Sequence, residues 1–315
     1  MAALKNPDHF ENRKMEDLRQ QLVGKVASHI QTEGDNATAI PGLRLYRRDA
    51  PTACMSAAYD PKLIFFVQGE KHINLGGNML VCGGFNYLLT SVDLPVLSQV
   101  VKATPEEPMY GILLNLQMPM VREILSQEEF QIPEAVAGAR GMNVGKSTAE
   151  MFDACLRLLN LLDSPRDIPF LGNLIQRELI YRILREPQGM HLRSIATLGE
   201  QCNRTARAVA WLRENFSKPL RVEDLAEVAQ MGVSTLHHHF RSLTAMSPLQ
   251  YQKQLRLHTA RIRMLTDGLD AASAAFEVGY ESPSQFSREY SRFFGQPPMR
   301  DVKARRTANE SLLQA

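Results

Sequence analysis

Sliding the last third of the sequence along itself by fifty residues lays one segment over another, and this repeat narrows the possible folds more than any other feature. Leu225-Ala226-Glu227-Val228-Ala229 falls on Ala275-Phe276-Glu277-Val278-Gly279, Gly232 on Ser282, Leu236 on Phe286, Phe240 on Tyr290, Leu243 on Phe293 and Pro248 on Pro298. One structural unit therefore occurs twice. In each copy a helix of about eight residues meets a tight turn, Gln230-Met231-Gly232 or Gly279-Tyr280-Glu281, and a second helix follows at once. The small residues at the turn, Ala229 and Gly279, let the two helices cross closely, which is the geometry of a helix-turn-helix.

Start signals define the second helices. Ser282 is placed to cap, Pro283 suits the first helical position and Gln285 stands three residues after the cap, as a capping box requires. The first copy has only Gly232 at the capping position, a weaker start. Between the copies, Ser247-Pro248 opens a long helix to about Leu265, with Tyr251, Leu255, Ile262 and Leu265 along one stripe. About 18 residues at ~1.5 Å each span about 27 Å. Such a strut can hold two recognition helices about one DNA turn apart, roughly 34 Å.

The run from Val278 to Arg288 (Val-Gly-Tyr-Glu-Ser-Pro-Ser-Gln-Phe-Ser-Arg), the strut opening at Ser247-Pro248 and the segment Phe293-Phe294-Gly295-Gln296-Pro297-Pro298 resemble the AraC/XylS family of bacterial transcription regulators over about 205 to 305. More loosely, Val67-Gln68-Gly69 and the stretch from Leu89 to Val96 resemble the cupin-like N-terminal domain of one AraC-type subgroup. The resemblance implies a sequence-specific DNA-binding regulator that acts in the bacterial cytoplasm at the nucleoid. Its expected partners are double-stranded operator DNA, a small-molecule effector, a second copy of the chain and RNA polymerase.

On a recognition helix, the residues opposite the Leu236 and Phe240 stripe face the groove, which selects Ser234, His237, His238 and Arg241. The repeat maps the first three onto Ser284, Ser287 and Arg288, and Gln285 joins them as a candidate; the resemblance implies that these positions read bases. Arg288 stands out because a guanidinium can bond guanine O6 and N7 together, against the plainer reading of a phosphate contact. Arg256, Arg261, Arg263 and Lys303 are candidate phosphate contacts, against the plainer reading of solvated surface charges. The run His237-His238-His239 does not read as a metal site, because consecutive helical side chains point about 100° apart.

Residues 200 to 315 hold 16 Lys and Arg against 12 Asp and Glu, and the remainder 20 against 22. The excess is the sign that a polyanion attracts. Upstream, from Leu43 to about Leu116, short β-rich runs (63–67, 72–75, 79–81, 87–90, 96–101 and 110–116) are punctuated by glycines, as in a small barrel or sandwich. Helical periodicity follows: Met151, Cys155, Leu158 and Leu162 form one stripe over 147–162, suited either to packing on the barrel or to a dimer seam. A further helix is expected over 171–184.

The expected architecture is α+β: an N-terminal cupin-like β-barrel with accessory helices, then an all-α domain of two helix-turn-helix units joined by a long helix. The boundaries are 1–188 for the effector and dimerisation domain, 189–203 for a linker, 204–306 for the DNA-binding domain and 307–315 for a tail. Small barrels commonly enclose one ligand, and Tyr59, His72, Tyr87 and Tyr110 are the polar candidates to touch it.

Several patterns are discounted. Gly141 to Ser147 has three residues between its glycines where a phosphate loop needs four, and reads as a loop capping the next helix. The β region offers only His72 where a catalytic cupin assembles several imidazole and carboxylate ligands, so neither enzymatic activity nor a metal or other cofactor is expected. A cupin-type enzyme carrying a DNA-binding module is the competing reading. Cys54, Cys82, Cys155 and Cys202 are too scattered for a disulfide framework or thiolate zinc site and read as reduced thiols. The charged N-terminus lacks the apolar core of a secretory signal, and no apolar run approaches the roughly 20 residues of a membrane span.

Overall fold

Strand β4 (Lys62–Gln68) buries five consecutive residues, Leu63 to Val67, a pattern that arises when both faces of a strand are covered. The computed structural model describes residues 7–30, 32–127, 140–197 and 201–313, and it shows what covers them. The chain divides into two units, residues 1–203 and 204–315, each with its own hydrophobic core.

In the first unit β1 (Gly34–Ala37), β2 (Leu43–Arg48), β7 (Asn86–Thr90), β9 (Met109–Asn115) and β10 (Met142–Lys146) join β4 in a sheet of order β1-β2-β9-β4-β7-β10. A second sheet runs β3 (Met55–Tyr59), β8 (Leu94–Lys102), β5 (Glu70–Leu75) and β6 (Asn78–Gly83). All pairings in both sheets are antiparallel.

Alternate residues of the larger sheet serve different layers. Leu43, Leu45, Leu63, Phe65, Tyr87, Leu89, Tyr110 and Ile112 join one core with α1 (Pro7–His29), α2 (Met118–Gln127), α3 (Ala149–Asn160), α4 (Asn173–Arg185) and α5 (Met190–Ala196). The residues between them, including Tyr46, Ile64, Phe66 and Leu88, turn toward the smaller sheet.

Each β-rich run expected from the sequence falls on a strand, the last overrunning β9 by one residue at Leu116, while α1, β1, β2, β3 and β10 carry weaker signals. The Gly141 to Ser147 segment is mostly strand rather than loop: Gly145 stands opposite Tyr87, and a Cβ there would lie 2.2 Å from the Tyr87 ring. Its glycine makes room for an aromatic side chain, and Thr148 caps α3 by accepting from the Met151 amide. The stripe on α3 resolves toward packing: Met151, Cys155 and Leu158 are all within the first core, so they cannot also be a dimer seam. Within the expected linker 189–203, residues 190–196 form α5, with Leu192 and Ala196 in the same core; residues 198–200 lie outside the described residues. No helix among the described residues is long and apolar enough to cross a membrane.

The second unit contains α6 (Gln201–Glu214, entering from the unit boundary), α7 (Val222–Ala229), α8 (Val233–Thr244), α9 (Pro248–Thr266), α10 (Ala271–Glu277), α11 (Pro283–Phe294) and α12 (Pro298–Leu313). Helix α12 takes in residues 307–313 of the expected tail; residues 314 and 315 lie outside the described residues.

Candidate nucleic-acid interface

Helix α9 is the expected strut. Its 19 residues span about 28 Å at ~1.5 Å each, and Ser247 with Gln250 forms a complete capping box at its start. The helix pairs α7–α8 and α10–α11 flank it in sequence. Their turns differ: Gln230 takes the left-handed conformation after α7, with φ 54°, whereas Gly279 has φ 90° and a Cβ there would sit 1.9 Å from the Ser217 carbonyl oxygen. Only glycine fits the second turn.

Burial repeats across the two second helices. Leu236 and Phe240 of α8, like Phe286 and Tyr290 of α11, are fully buried. Ser234 and His238 are exposed and His237 half-buried, and Ser284, Arg288 and Ser287 match them position by position. Arg241 and Gln285 are exposed as well. Ser284, Ser287 and Arg288 line one open notch with Ala271 and Ala272 of α10. Arg288 makes no hydrogen bond or ion pair among the described residues, so its guanidinium is available to a partner outside the chain.

Caps differ in strength as expected for Gly232, which offers no side-chain bond, and Ser282, which accepts from the Gln285 amide. The Gln285 side chain does not complete a capping box and donates instead to Glu289 at 3.4 Å. Partial burial, with the neighbouring His238, holds the half-buried His239 imidazole below its ordinary pKa.

Two of the candidate phosphate contacts prove to be internal ties. The Arg256 guanidinium donates to the carbonyls of Phe216, Gly279, Ser217 and Lys218 at 2.7, 2.8, 3.1 and 2.9 Å. With four of a guanidinium's five donors so engaged, it fastens the loop after α6 to the turn at Gly279. Arg261 is 3% exposed and grips Asp301 through two bonds of 2.7 and 2.6 Å. Tyr290 and Arg305 donate to the same carboxylate, joining α9, α11 and α12. Burial opposes the Asp301 charge, but the bonds from Arg261 and Tyr290 outweigh it and hold the carboxyl below the usual range. Arg263 is exposed but paired with Asp267 and Glu277, which offsets its charge. Lys303 is exposed on α12.

The four effector candidates in the first unit do not converge. Tyr87 and Tyr110 belong to the core shared with the helices, and the Tyr87 hydroxyl donates to Gln188 at 3.2 Å. His72 pairs with Glu70 on the outward side of β5. Only Tyr59 lies between the sheets, because strand parity sends the others elsewhere. Tyr46 and Lys71, which meet beside it, carry no signal in the sequence pattern. Among the described residues no group of three or more His, Cys, Asp or Glu is placed to hold a metal; Cys82 and Cys155 are buried thiols, Cys202 half-buried and Cys54 exposed.

Comparison with known proteins matches both units. Residues 39–191 match the family of AraC-type transcriptional regulator N-termini, and residues 225–304 a helix-turn-helix domain family. Over 144 residues the chain is 28% identical to the HTH-type transcriptional activator RhaS of Mannheimia succiniciproducens, covering 46% of this chain and 51% of RhaS. It is 31% identical over 144 residues to the raffinose operon regulatory protein RafR of Pediococcus pentosaceus, covering 45% and 50%. The chain thus spans about half the length of the curated relatives it matches. The fold is that of ToxT from Vibrio cholerae, solved with an unsaturated fatty acid bound, at a TM-score of 0.53 and 11% identity over 82% of this chain and 94% of that one.

Proposed function

The chain belongs to the AraC/XylS family of transcription regulators, and from that premise we propose that it binds operator DNA through α8 and α11 and activates transcription in response to a small-molecule effector held by its β domain. The observation that carries the reading is the matched exposure of Ser234, His237 and His238 with Ser284, Ser287 and Arg288 on two equally anchored helices. Arg288 reads a base, and Arg241 and Gln285 border the readout. Arg256 and Arg261 act by holding the helices in place. Activation is supported by the name of RhaS, a transcriptional activator, and an effector by the ligand bound in ToxT. Contact with RNA polymerase follows from activation and is part of the proposal.

The proposal includes a homodimer, for which α3 is unsuited. Phe170 and Leu171, in the turn just before α4, and Leu174, in its first turn, are exposed apolar residues, 74%, 39% and 50% accessible, the kind of surface that marks association. Sedimentation of the full chain should show a concentration-dependent dimer that Phe170→Glu weakens; a monomer at all concentrations would remove it.

The central test is binding of the full chain to the DNA upstream of its own reading frame, against the same DNA scrambled, at physiological salt. Preference of at least ~10³-fold is expected of specific recognition, and equal binding to both sinks the reading.

A further inference from the structure

Lys71 lies on the face of β5 that otherwise carries apolar side chains. Along β5, Ile73 and Leu75 point inward and are buried, and Lys71 shares their parity. Across the ladder it faces Cys82, which is fully buried. The Lys71 Nζ lies 4.8 Å from the ring centre of Tyr46 and 5.7 Å from that of Tyr59. These tyrosines belong to different sheets, so the ammonium sits between the two layers. No carboxylate among the described residues pairs with it. The contrast is Lys62, whose Nζ is 5.7 Å from the same Tyr59 ring but which is paired with Asp60.

A second polar group in this interior is also unmatched. Thr90 stands opposite Lys62 in the β4–β7 ladder, is fully buried, and its hydroxyl has no hydrogen-bond partner. Lysine is seldom buried without a partner, and buried polar groups are nearly always hydrogen-bonded. An ammonium met by two phenols and a thiol, in an interior that also holds an orphaned hydroxyl, is a half-filled set of interactions, and the missing half is a negatively charged hydrogen-bond acceptor.

Resting on the reading of the β domain as an effector site, we propose that the effector is a small organic acid whose anionic head is bound by Lys71 and Tyr59, with its apolar part among the inward side chains of the two sheets. Lys71 retains partial solvent access, which gives the head group a way in. The site binds without bonding covalently. Burial opposes the Lys71 charge, but Tyr59 and Tyr46 outweigh it and raise its pKa, leaving no free amine at neutral pH. Burial likewise pushes the Cys82 thiol up to about 12, so it supplies no thiolate.

Titration of the full chain with benzoate and hexanoate, each against its amide, tests the proposal by calorimetry and thermal shift. At least one carboxylate should bind, its amide at least ~10-fold more weakly, since a hydrogen bond to a charged group is the strong kind. Lys71→Met should lose the preference for the acid and Lys71→Arg retain it, with both variants keeping the wild-type melting profile in the absence of ligand. If neither acid binds, if an amide binds as well as its acid, or if Lys71→Met binds the acid unchanged, the anion site is overturned. Operator preference measured on the same preparation reports separately on the DNA-binding reading. Equal binding of acid and amide, with operator preference intact, would refute the anion site alone.

Discussion

Chemical type alone does not fix what a basic side chain does. Arg256, Arg261 and Arg288 all occupy helices of the second unit, yet the first two are consumed by carbonyls and a carboxylate while the third has no partner among the described residues. Arg288 was legible because the repeat aligns it with His238 on a face opposite buried residues. Arg256 was not, because its carbonyl partners at 216 to 218 are about forty residues away in sequence. Arg288→Ala should therefore cost about 1–3 kcal/mol of discrimination at one base position, read by ranking single-base variants of the operator. An unchanged ranking would exclude base reading by Arg288. His258 gives a second prediction at this scale. Both its ring nitrogens are buried without partners, between Phe293 and Phe294 at 5.4 and 5.8 Å, and burial, with the charge of Arg261, pushes its pKa down to about 3. The unfolded chain protonates this imidazole near 6.5 and the folded chain does not. Its depressed pKa thus favours the folded state above about 6.5, and that advantage is lost as pH falls toward 3, by up to about 1.4 kcal/mol per pH unit. His258→Phe should flatten the fall in stability between pH 6 and 4, measured by urea unfolding. An equally steep fall in the variant would assign it to other groups.

Elements declare themselves when one physical demand shapes them and hide when two compete. The strands β4 and β9 have an apolar sequence because both faces are covered, and α11 is announced by its serine cap, proline and buried stripe. Strand β10 hides because the Tyr87 ring demands glycine at 145, a residue that weakens strand propensity. Helix α1 hides because its buried contacts, Leu22 and Val26, with Ile30 just after it, form a narrow line within a charged sequence. What locks α9, α11 and α12 together is Asp301, which the sequence did not single out because its partners Arg261 and Tyr290 come from two other helices. Asp301→Asn leaves a buried guanidinium without its counter-charge and should destabilise the second unit by about 3–5 kcal/mol. The depressed carboxyl contributes fully above about pH 4, and the contribution is lost as pH falls through the lower folded value, a window below that of His258. Thermal melts of the variant at pH 7 check the magnitude; a melting curve matching wild type would mean that the pair contributes nothing net.

At the scale of the whole molecule, the two units have separate hydrophobic cores, one built from Leu22 to Ala196 and the other including Leu257 to Val302. The repeat made the second unit legible in outline, since duplicated helices and a strut leave few alternatives. The first unit was legible as strands but not as a site, because which tyrosine faces the interior depends on strand register and a one-residue shift reverses the answer. Separate cores imply that a fragment from residue 201 onward, which contains α6 to α12 entire, folds without the β domain. It should unfold cooperatively by circular dichroism and rank operator variants in the same order as the full chain, because the residues proposed to read the operator all lie within it. Its affinity should nevertheless fall by about 10²-fold or more if the full chain binds as a dimer, since a second bound unit then engages at high effective concentration. A fragment that is unfolded would show that the second core depends on the first. A folded fragment with undiminished affinity would instead show that the full chain reads its operator as a monomer, with both of its recognition helices and no second copy.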